Sequence, residues 1–327
     1  MKNYICIPII SLCLILISPT KVFGYKYGLG SCLDQDKEQS IWSSIEKEDL
    51  DGFIFLGDNV YGDLASGKLS KMQRAYEIQK TKLPRWLMDD KEILAIWDDH
   101  DFGLNDGGGD YFYKKEAEKM FLNFWNISQS DPRRKREGIY FKQIKIIEGT
   151  VVEIIGLDTR YFRSKLKGKK NAYKQNTDLD ATILGQDQWA WLDSSISNSS
   201  ADVIVILSSI QILATNHPYE KWSNFPLERS RLLKLIADAS KDKTIIAITG
   251  DRHKSGIYQN NNFVEITASS LNKSASKGIE TDPLLIGKTY PIKNYGLLEI
   301  EPSKSQITIS IHNKNGQTLD SKIINIH

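Results

Sequence analysis

Short apolar runs, most of them bounded by glycine or by acidic residues, recur along the chain and set its predicted architecture. "YKYGLG" (25–30), "GFIFLG" (52–57), "KEILAIW" (91–97), "VVEIIGLD" (151–158), "DVIVILSS" (202–209) and "KTIIAITG" (243–250) each have the length of one strand. Nearly continuous apolar character marks central strands covered on both faces. Between them lie stretches with apolar residues at helical spacing, at 37–48, 68–82, 114–125, 185–196 and 226–240. This alternation predicts a layered α/β domain. The closing runs "FVEITASS" (263–270), "YGLLEIE" (295–301) and "QITISIH" (306–312) have no long helices between them. They predict either a second sheet or an antiparallel edge, and the whole reads as a two-sheet sandwich between helical layers.

The first 24 residues follow a different pattern. Lys2 precedes an apolar stretch from Ile5 to Ile17, and small residues lie near a cut after Gly24. This is the anatomy of a signal peptide, and it predicts a secreted or periplasmic protein with one domain over 25–327. The stretch is short for a membrane span and Pro8 interrupts it, so a tethered form is the weaker alternative. Cys13 has no small residue just before it, which argues against acylation. After cleavage only Cys32 of the three cysteines remains, so no internal disulfide is expected. A lone thiol in an oxidising compartment is expected to be buried or metal-bound.

Composition adds mostly exclusions. Of the 327 residues, 40% are apolar and 26% charged, with a formal net charge of +2. These are globular values, and nothing in them marks a nucleic-acid binder. The basic stretch 164–174 is a local exception that could attract an anionic polymer. There is no phosphate-binding P-loop, no dinucleotide fingerprint and no nucleophile elbow.

Candidate chemistry falls at the ends of the predicted strands, where open α/β folds place their sites. Cys32 follows the first run. Asp58, Asn59 and Tyr61 follow the second, and "DDHD" (98–101) with Asn105 and Asp106 follows the third. Asp158, Arg160 and Arg163 follow the fourth, and Asp251 and His253 follow "KTIIAITG". Each has an ordinary explanation: a turn aspartate, a packed tyrosine, an inert thiol, a capped strand end, a surface arginine pair. Five clusters on one rim predict a site. Asp251 and His253 lie two apart, so an extended segment would send both side chains to one face. Crowding Asp98, Asp99 and Asp101 is tolerable if bound cations neutralise them. Asp, His, Asn, Cys and Tyr together suit two cations that activate a bridging water and clamp the oxygens of an in-line displacement at phosphorus. His100, held protonated by a carboxylate, could protonate the leaving group. Asn59, Arg160 and Arg163 are the candidate contacts to phosphate oxygens. His217 could line the cleft, and the loops 103–112, 164–185 and 214–226 would form its walls.

At these residues the chain resembles the PhoD-like metallophosphatases, the alkaline phosphatase D group of the calcineurin-like superfamily. "GSC" (30–32), "LGDNVYGD" (56–63), "WDDHDFGLND" (97–106), "LDTRYFR" (157–163), "EKWSNFPLERSRLL" (220–233) and "TGDRH" (249–253) carry the resemblance. It implies a four-layer αββα sandwich of two mixed sheets that hydrolyses phosphomonoesters or phosphodiesters. It also implies Fe3+ beside Ca2+, with Zn2+, Mn2+ or Mg2+ as alternatives. Asp58 would bridge the ions. Cys32, Tyr61 and His253 would hold one, and Asn105 with Asp251 the other. Asp98 is a further candidate ligand, and His100, Asp99 and Arg160 are the candidate catalytic residues, with metal-bound hydroxide as the attacking group. Arg252 replaces the family's usual small apolar residue, and the extra N-terminal β-domain of larger bacterial members is missing. The rival readings are a phospholipase D-like phosphodiesterase acting on lipids or wall polymers, and a catalytically silent protein that binds metals or anions. The oligomeric state has no signal in the sequence.

Overall fold

The computed structural model describes residues 24–274, 278 and 280–327. The expected signal peptide lies outside the described residues, apart from Gly24. In chain order the strands are β1 (Tyr25–Gly30), β2 (Gly52–Leu56), β3 (Glu92–Ile96), β4 (Phe141–Ile147), β5 (Thr150–Gly156), β6 (Lys167–Lys169), β7 (Ala172–Lys174), β8 (Val203–Ser208), β9 (Thr244–Thr249), β10 (Ser255–Asn260), β11 (Phe263–Thr267), β12 (Leu285–Tyr290), β13 (Asn294–Glu301), β14 (Gln306–Asn313) and β15 (Thr318–Asn325). The helices are α1 (Trp42–Ile45), α2 (Met72–Lys82), α3 (Arg85–Met88), α4 (Asp99–Phe102), α5 (Lys114–Phe124), α6 (Gly185–Ser197) and α7 (Pro226–Ala239).

Two large mixed sheets form the centre. The first runs β15-β14-β13-β1-β2-β3 and the second β12-β10-β11-β9-β8-β5-β4. The first sheet is half parallel, with β1, β2 and β3 running together at one edge, whereas in the second the middle strands β5, β8, β9 and β11 run together between antiparallel edges. The closing strands β13, β14 and β15 are therefore the antiparallel edge of the first sheet, joined through β13 to β1, and not a sheet of their own.

Burial explains the layering. In the second sheet Val203, Val205, Leu207, Ile246 and Ile248 share a core with the first sheet. Their neighbours Ile204, Ile206, Ile245 and Ala247 pack with Trp189, Leu192 and Ile196 of α6 and Leu232 and Ile236 of α7. Those helix positions repeat at three- and four-residue intervals and form one apolar stripe per helix. On the first sheet, Phe53 meets Trp42 and Phe55 meets Trp125, at the ends of α1 and α5. The order is helix, sheet, sheet, helix, as the strand runs and the resemblance predicted. Each fully buried aliphatic side chain contributes about 1.5–3 kcal/mol.

The helix expected over 37–48 shrinks to one turn, α1, followed by a 3-10 turn over Glu46–Glu48. The N-terminal end of α1 carries no side-chain cap, and tertiary packing of Trp42 holds the turn in place. Strands β4 and β15 escaped prediction because they are half-exposed edge strands that alternate instead of running apolar. Among the described residues, no helix is long and apolar enough to cross a membrane.

Candidate metal and active site

The carboxyl ends of β1, β2, β3, β9 and β11 converge, and four site residues there adopt left-handed backbone. Cys32 has φ 57°, Asp58 51°, Asp251 64° and His253 54°. Such φ values are uncommon for residues with a Cβ, and they persist where the surrounding structure over-determines them. The segment after β9 is thus a tight bend, not the extended stretch expected, and the bend brings Asp251 and His253 to the same cleft. Two close approaches make the convergence possible. A Cβ on Gly250 would meet Leu56 O at 2.6 Å, and one on Gly57 (φ 95°) would meet Asp98 Cβ at 2.5 Å. The sheets are strapped together where Leu271 N–H donates to Ser31 O at 2.9 Å.

Cys32, Asp58, Tyr61 and His253 form one cluster. Tyr61 Oη lies 3.0 Å from Asp58 Oδ2 and 3.1 Å from His253 Nε2, while Cys32 Sγ lies 3.5 Å from Asp58 Oδ2. Ser269 Oγ accepts the His253 N–H at 2.7 Å and lies 3.2 Å from Cys32 Sγ. One donor atom each from Cys32, Asp58 and His253 fits within 4.8 Å of the others. Burial pushes the Cys32 thiol up to about 11 and raises Asp58 and Tyr61 well above their usual ranges. Asp251 is raised as well, by burial and by the charge of Asp98. Burial, with Lys273 nearby, lowers His253 to about 4, leaving a neutral imidazole. Thiol, phenol, carboxylate and neutral imidazole, all withdrawn from water, suit a cation that pays back their charging. Asp99 Oδ1, buried without a hydrogen-bond partner among the described residues, points to the same need.

The acidic "DDHD" stretch is balanced mostly by the protein itself, which corrects the expectation that bound ions alone make it bearable. Asp98 does not join the cluster of Cys32, Asp58, Tyr61 and His253. Its Oδ1 accepts from Arg160 Nε at 2.7 Å and from Ser209 Oγ at 2.6 Å, and the residue is fully buried. Asp101 turns inward, where its carboxylate takes the N–H groups of Asp98, Asp58 and Asn59. Asp99 Oδ2 accepts the Asp106 N–H at 2.7 Å. His100 lies on the cleft, with Nδ1 2.7 Å from Asp63 Oδ1 and Nε2 4.0 Å from Asp99 Oδ1. Burial works against protonating His100, but Asp99, Asp58 and Asp63 outweigh it and raise its pKa to about 10. Asp99 in turn is held low by His100 and Arg160 against the upward pull of burial.

The expected phosphate contacts are corrected too. Arg160 and Arg163 are 0% and 1% exposed, and their guanidinium groups are already spent. Arg160 binds Asp98 and Glu220, and Arg163 binds Glu220 and the carbonyls of Asp106, Gly107 and Ser164. Asn59 is likewise turned inward, donating to Ile96 O at 2.9 Å and to Asp101. Asn105 does reach the cleft, with its Oδ1 accepting from Lys170 Nζ at 2.8 Å. His217 lies outside the main cleft, in a neighbouring recess.

The cleft has a volume of about 320 Å³. Its walls draw on the three loops expected, through Asn105 and Asp106, Lys170 and Tyr173, and Tyr219 and Glu220. Sequence reasoning missed Glu220, which locks both arginines, and Asp63, the partner of His100. Both lie inside the motifs "EKWSNF" and "LGDNVYGD", which was the available signal.

Comparison with known proteins agrees with this geometry. The family model described as PhoD-like phosphatase matches residues 85–294. That span holds the "DDHD" stretch, Asp251 and His253, and begins after Cys32, Asp58 and Tyr61. Alkaline phosphatase D of Bacillus subtilis (strain 168) is 25% identical over 118 residues, a segment covering 33% of this chain and 20% of that protein. The solved structure of PhoD superposes with a TM-score of 0.71 at 17% identity, covering 93% of this chain and 73% of that one. A purple acid phosphatase from yellow lupin seeds gives 0.61 at 12% identity, over 94% and 55% of the two chains. GAP50, described as the anchor in the inner membrane complex of Plasmodium, gives 0.63 at 13%, over 93% and 89%. The fold is therefore shared by phosphatases and by a protein named for anchoring.

Proposed function

The chain belongs to the PhoD-like phosphatase family, and on that premise we propose that it is an exported two-metal hydrolase of phosphoric esters. The observation that carries this reading is the meeting of Cys32, Asp58, Tyr61 and His253 from three separate strand ends beside a cleft. In this reading those four residues hold one ion. Asp58, Asp251 and Asn105 hold the second, with Asp99 Oδ1 free to add an oxygen. Thiolate and phenolate favour Fe3+, and the all-oxygen side suits Ca2+, with Zn2+, Mn2+ or Mg2+ as alternatives. When bound, such a pair supplies the charge that lowers the pKa of a water and steadies an in-line displacement at phosphorus.

The protein's own residues then have separate tasks. Three carboxylates face His100 and favour its protonated form in the metal-free protein, and Asp63, which holds no ion in this reading, continues to do so when the pair is bound. Asp63 holds Nδ1, so Nε2–H is left to protonate the departing alkoxide. Asp63 therefore also sets the orientation of that imidazolium. Arg160 and Glu220 fix Asp98 and, through Arg163, the 106–107 backbone beside the cleft. Arg160 thus acts as a positioning residue.

The test is turnover of para-nitrophenyl phosphate and bis(para-nitrophenyl) phosphate by protein of measured metal content, before and after chelation. Metal-dependent cleavage supports the reading, and the ratio of the two rates assigns monoester or diester preference. No turnover of either ester at full occupancy would leave a silent metal- or anion-binding protein. N-terminal sequencing of the protein recovered outside the cytoplasm tests export.

A further inference from the structure

Beside the acidic floor, one wall of the cleft carries two cations held by a single ion-pair partner, with Lys254 Nζ also donating to Gly278 O at 3.0 Å. Arg252 and Lys254 alternate with Asp251 and His253 along the bend after β9, and all four line the cleft. Arg252 is 6% exposed and Lys254 7%. The two cations share a single carboxylate oxygen: Glu280 Oε1 binds Arg252 Nη2 and lies 3.2 Å from Lys254 Nζ. Arg252 Nε has no hydrogen-bond partner among the described residues. Its guanidinium lies over the Tyr219 ring, 4.5 Å from the centroid, which holds the plane in place.

A second observation lies on the far side of Glu280. That residue also lines a recess formed with Asn216, His217, Pro218 and Thr281. His217 is 7% exposed, and neither of its ring nitrogens has a hydrogen-bond partner among the described residues. Buried nitrogens without partners in two recesses that Glu280 lines are a costly arrangement unless a ligand satisfies some of them.

We infer that Arg252 and Lys254 form an anion subsite in which the Glu280 carboxylate stands in for a ligand. The subsite takes a second negatively charged group of the substrate, carried on the alcohol part of the ester. It rests on the phosphoric ester hydrolase reading and adds the substrate class. Because Arg252 and Lys254 line the same cleft as Asp58, Asp251 and His253, the second charge is expected on the same small substrate as the reacting phosphoryl group. A fixed guanidinium and an ammonium favour a carboxylate or phosphate over a hydroxyl there. Glu280 swings away to admit it.

Two esters that differ only in this group test the inference: 2-phosphoglycerate, which carries a carboxylate, and glycerol 2-phosphate, which carries a hydroxymethyl. Metal-loaded enzyme is expected to favour the carboxylate ester in kcat/KM by about tenfold. Arg252→Gln and Lys254→Gln should each move the ratio towards unity, and Glu280→Gln should enlarge it by removing the competing anion. Calorimetric titration with the matching phosphonates, which have no cleavable ester oxygen, reads the same preference without turnover. A ratio near unity in the unaltered enzyme overturns the subsite, as does a preference untouched by both cation variants. If neither monoester is cleaved at full metal occupancy, the phosphonate titration still decides whether the subsite exists, and the hydrolase reading is decided separately by the two para-nitrophenyl esters.

Discussion

His100 Nδ1 lies 2.7 Å from Asp63 Oδ1, an ion pair that ties the α4 turn to the loop following β2. It fixes one ring nitrogen and leaves the other towards the cleft, where Asp99 and Asp58 add their charge. Asp63→Asn should therefore lower the pKa of His100 from its value of about 10. Activity that needs the imidazolium is present below that pKa and lost above it. The basic limb of the kcat profile should move down by about 1–2 pH units. An unmoved limb would remove His100 as the proton donor.

Chelation should make stability depend on pH in an unusual direction. Asp58 and Asp251 have carboxyl groups raised by burial. A carboxyl whose folded pKa is raised contributes most below its unfolded value, near ~4, and loses that contribution as pH rises towards its folded value. Metal-free protein should thus have a Tm that falls between mildly acidic and neutral pH, and loaded protein should resist that fall. Asp58→Asn should raise the Tm of the chelated protein at neutral pH while lowering kcat of the loaded form by at least ~10²-fold. Thermal scans at several pH values read both effects.

Arg160→Met should destabilise the fold by about 3–5 kcal/mol, because Asp98 and Glu220 would remain buried without their partner. Denaturant unfolding measures the loss. A substrate contact would instead raise KM with stability intact, so that outcome would restore Arg160 to the phosphate-binding role expected from sequence.

Cys32→Ser should deplete one ion of the pair and spare the other, since the thiol belongs to only one donor cluster. Elemental analysis of protein purified without added metal is the readout. In unaltered, loaded protein the fully buried thiol should react slowly with bulky thiol reagents, and chelation should change that rate little at neutral pH, because burial raises the free thiol to about 11.

Much of the site was legible because each participant follows an apolar strand, and parallel strands deliver their carboxyl ends to a common rim. Cys32, Asp58, Tyr61, Asn105, Asp251 and His253 were expected to meet for this reason and lie at or beside one cleft, and His100 faces that cleft with carboxylates around it. Arg160, Arg163, Asn59 and Asp98 were placed on the wrong side of the wall. Residue type gives no hint of whether a long cationic side chain turns towards solvent or towards a carboxylate 62 positions away. Asp63 and Glu220 were overlooked because their partners come from other elements.

By itself the sequence determined the apolar strand runs of the two sheet centres, the amphipathic stripes of α5, α6 and α7, and the order in which polar groups meet the rim. These follow from local periodicity, which each segment carries whatever its neighbours do. Only the tertiary structure decided that β13, β14 and β15 extend the first sheet, that Asp98 belongs to Arg160, and that the turns at Cys32, Asp58, Asp251 and His253 adopt left-handed backbone. Those outcomes depend on close approach of distant segments, such as Gly250 against Leu56 O, and on burial that penalises every unpaired charge. No short stretch of residues contains that information, because the energy that selects it arises between segments.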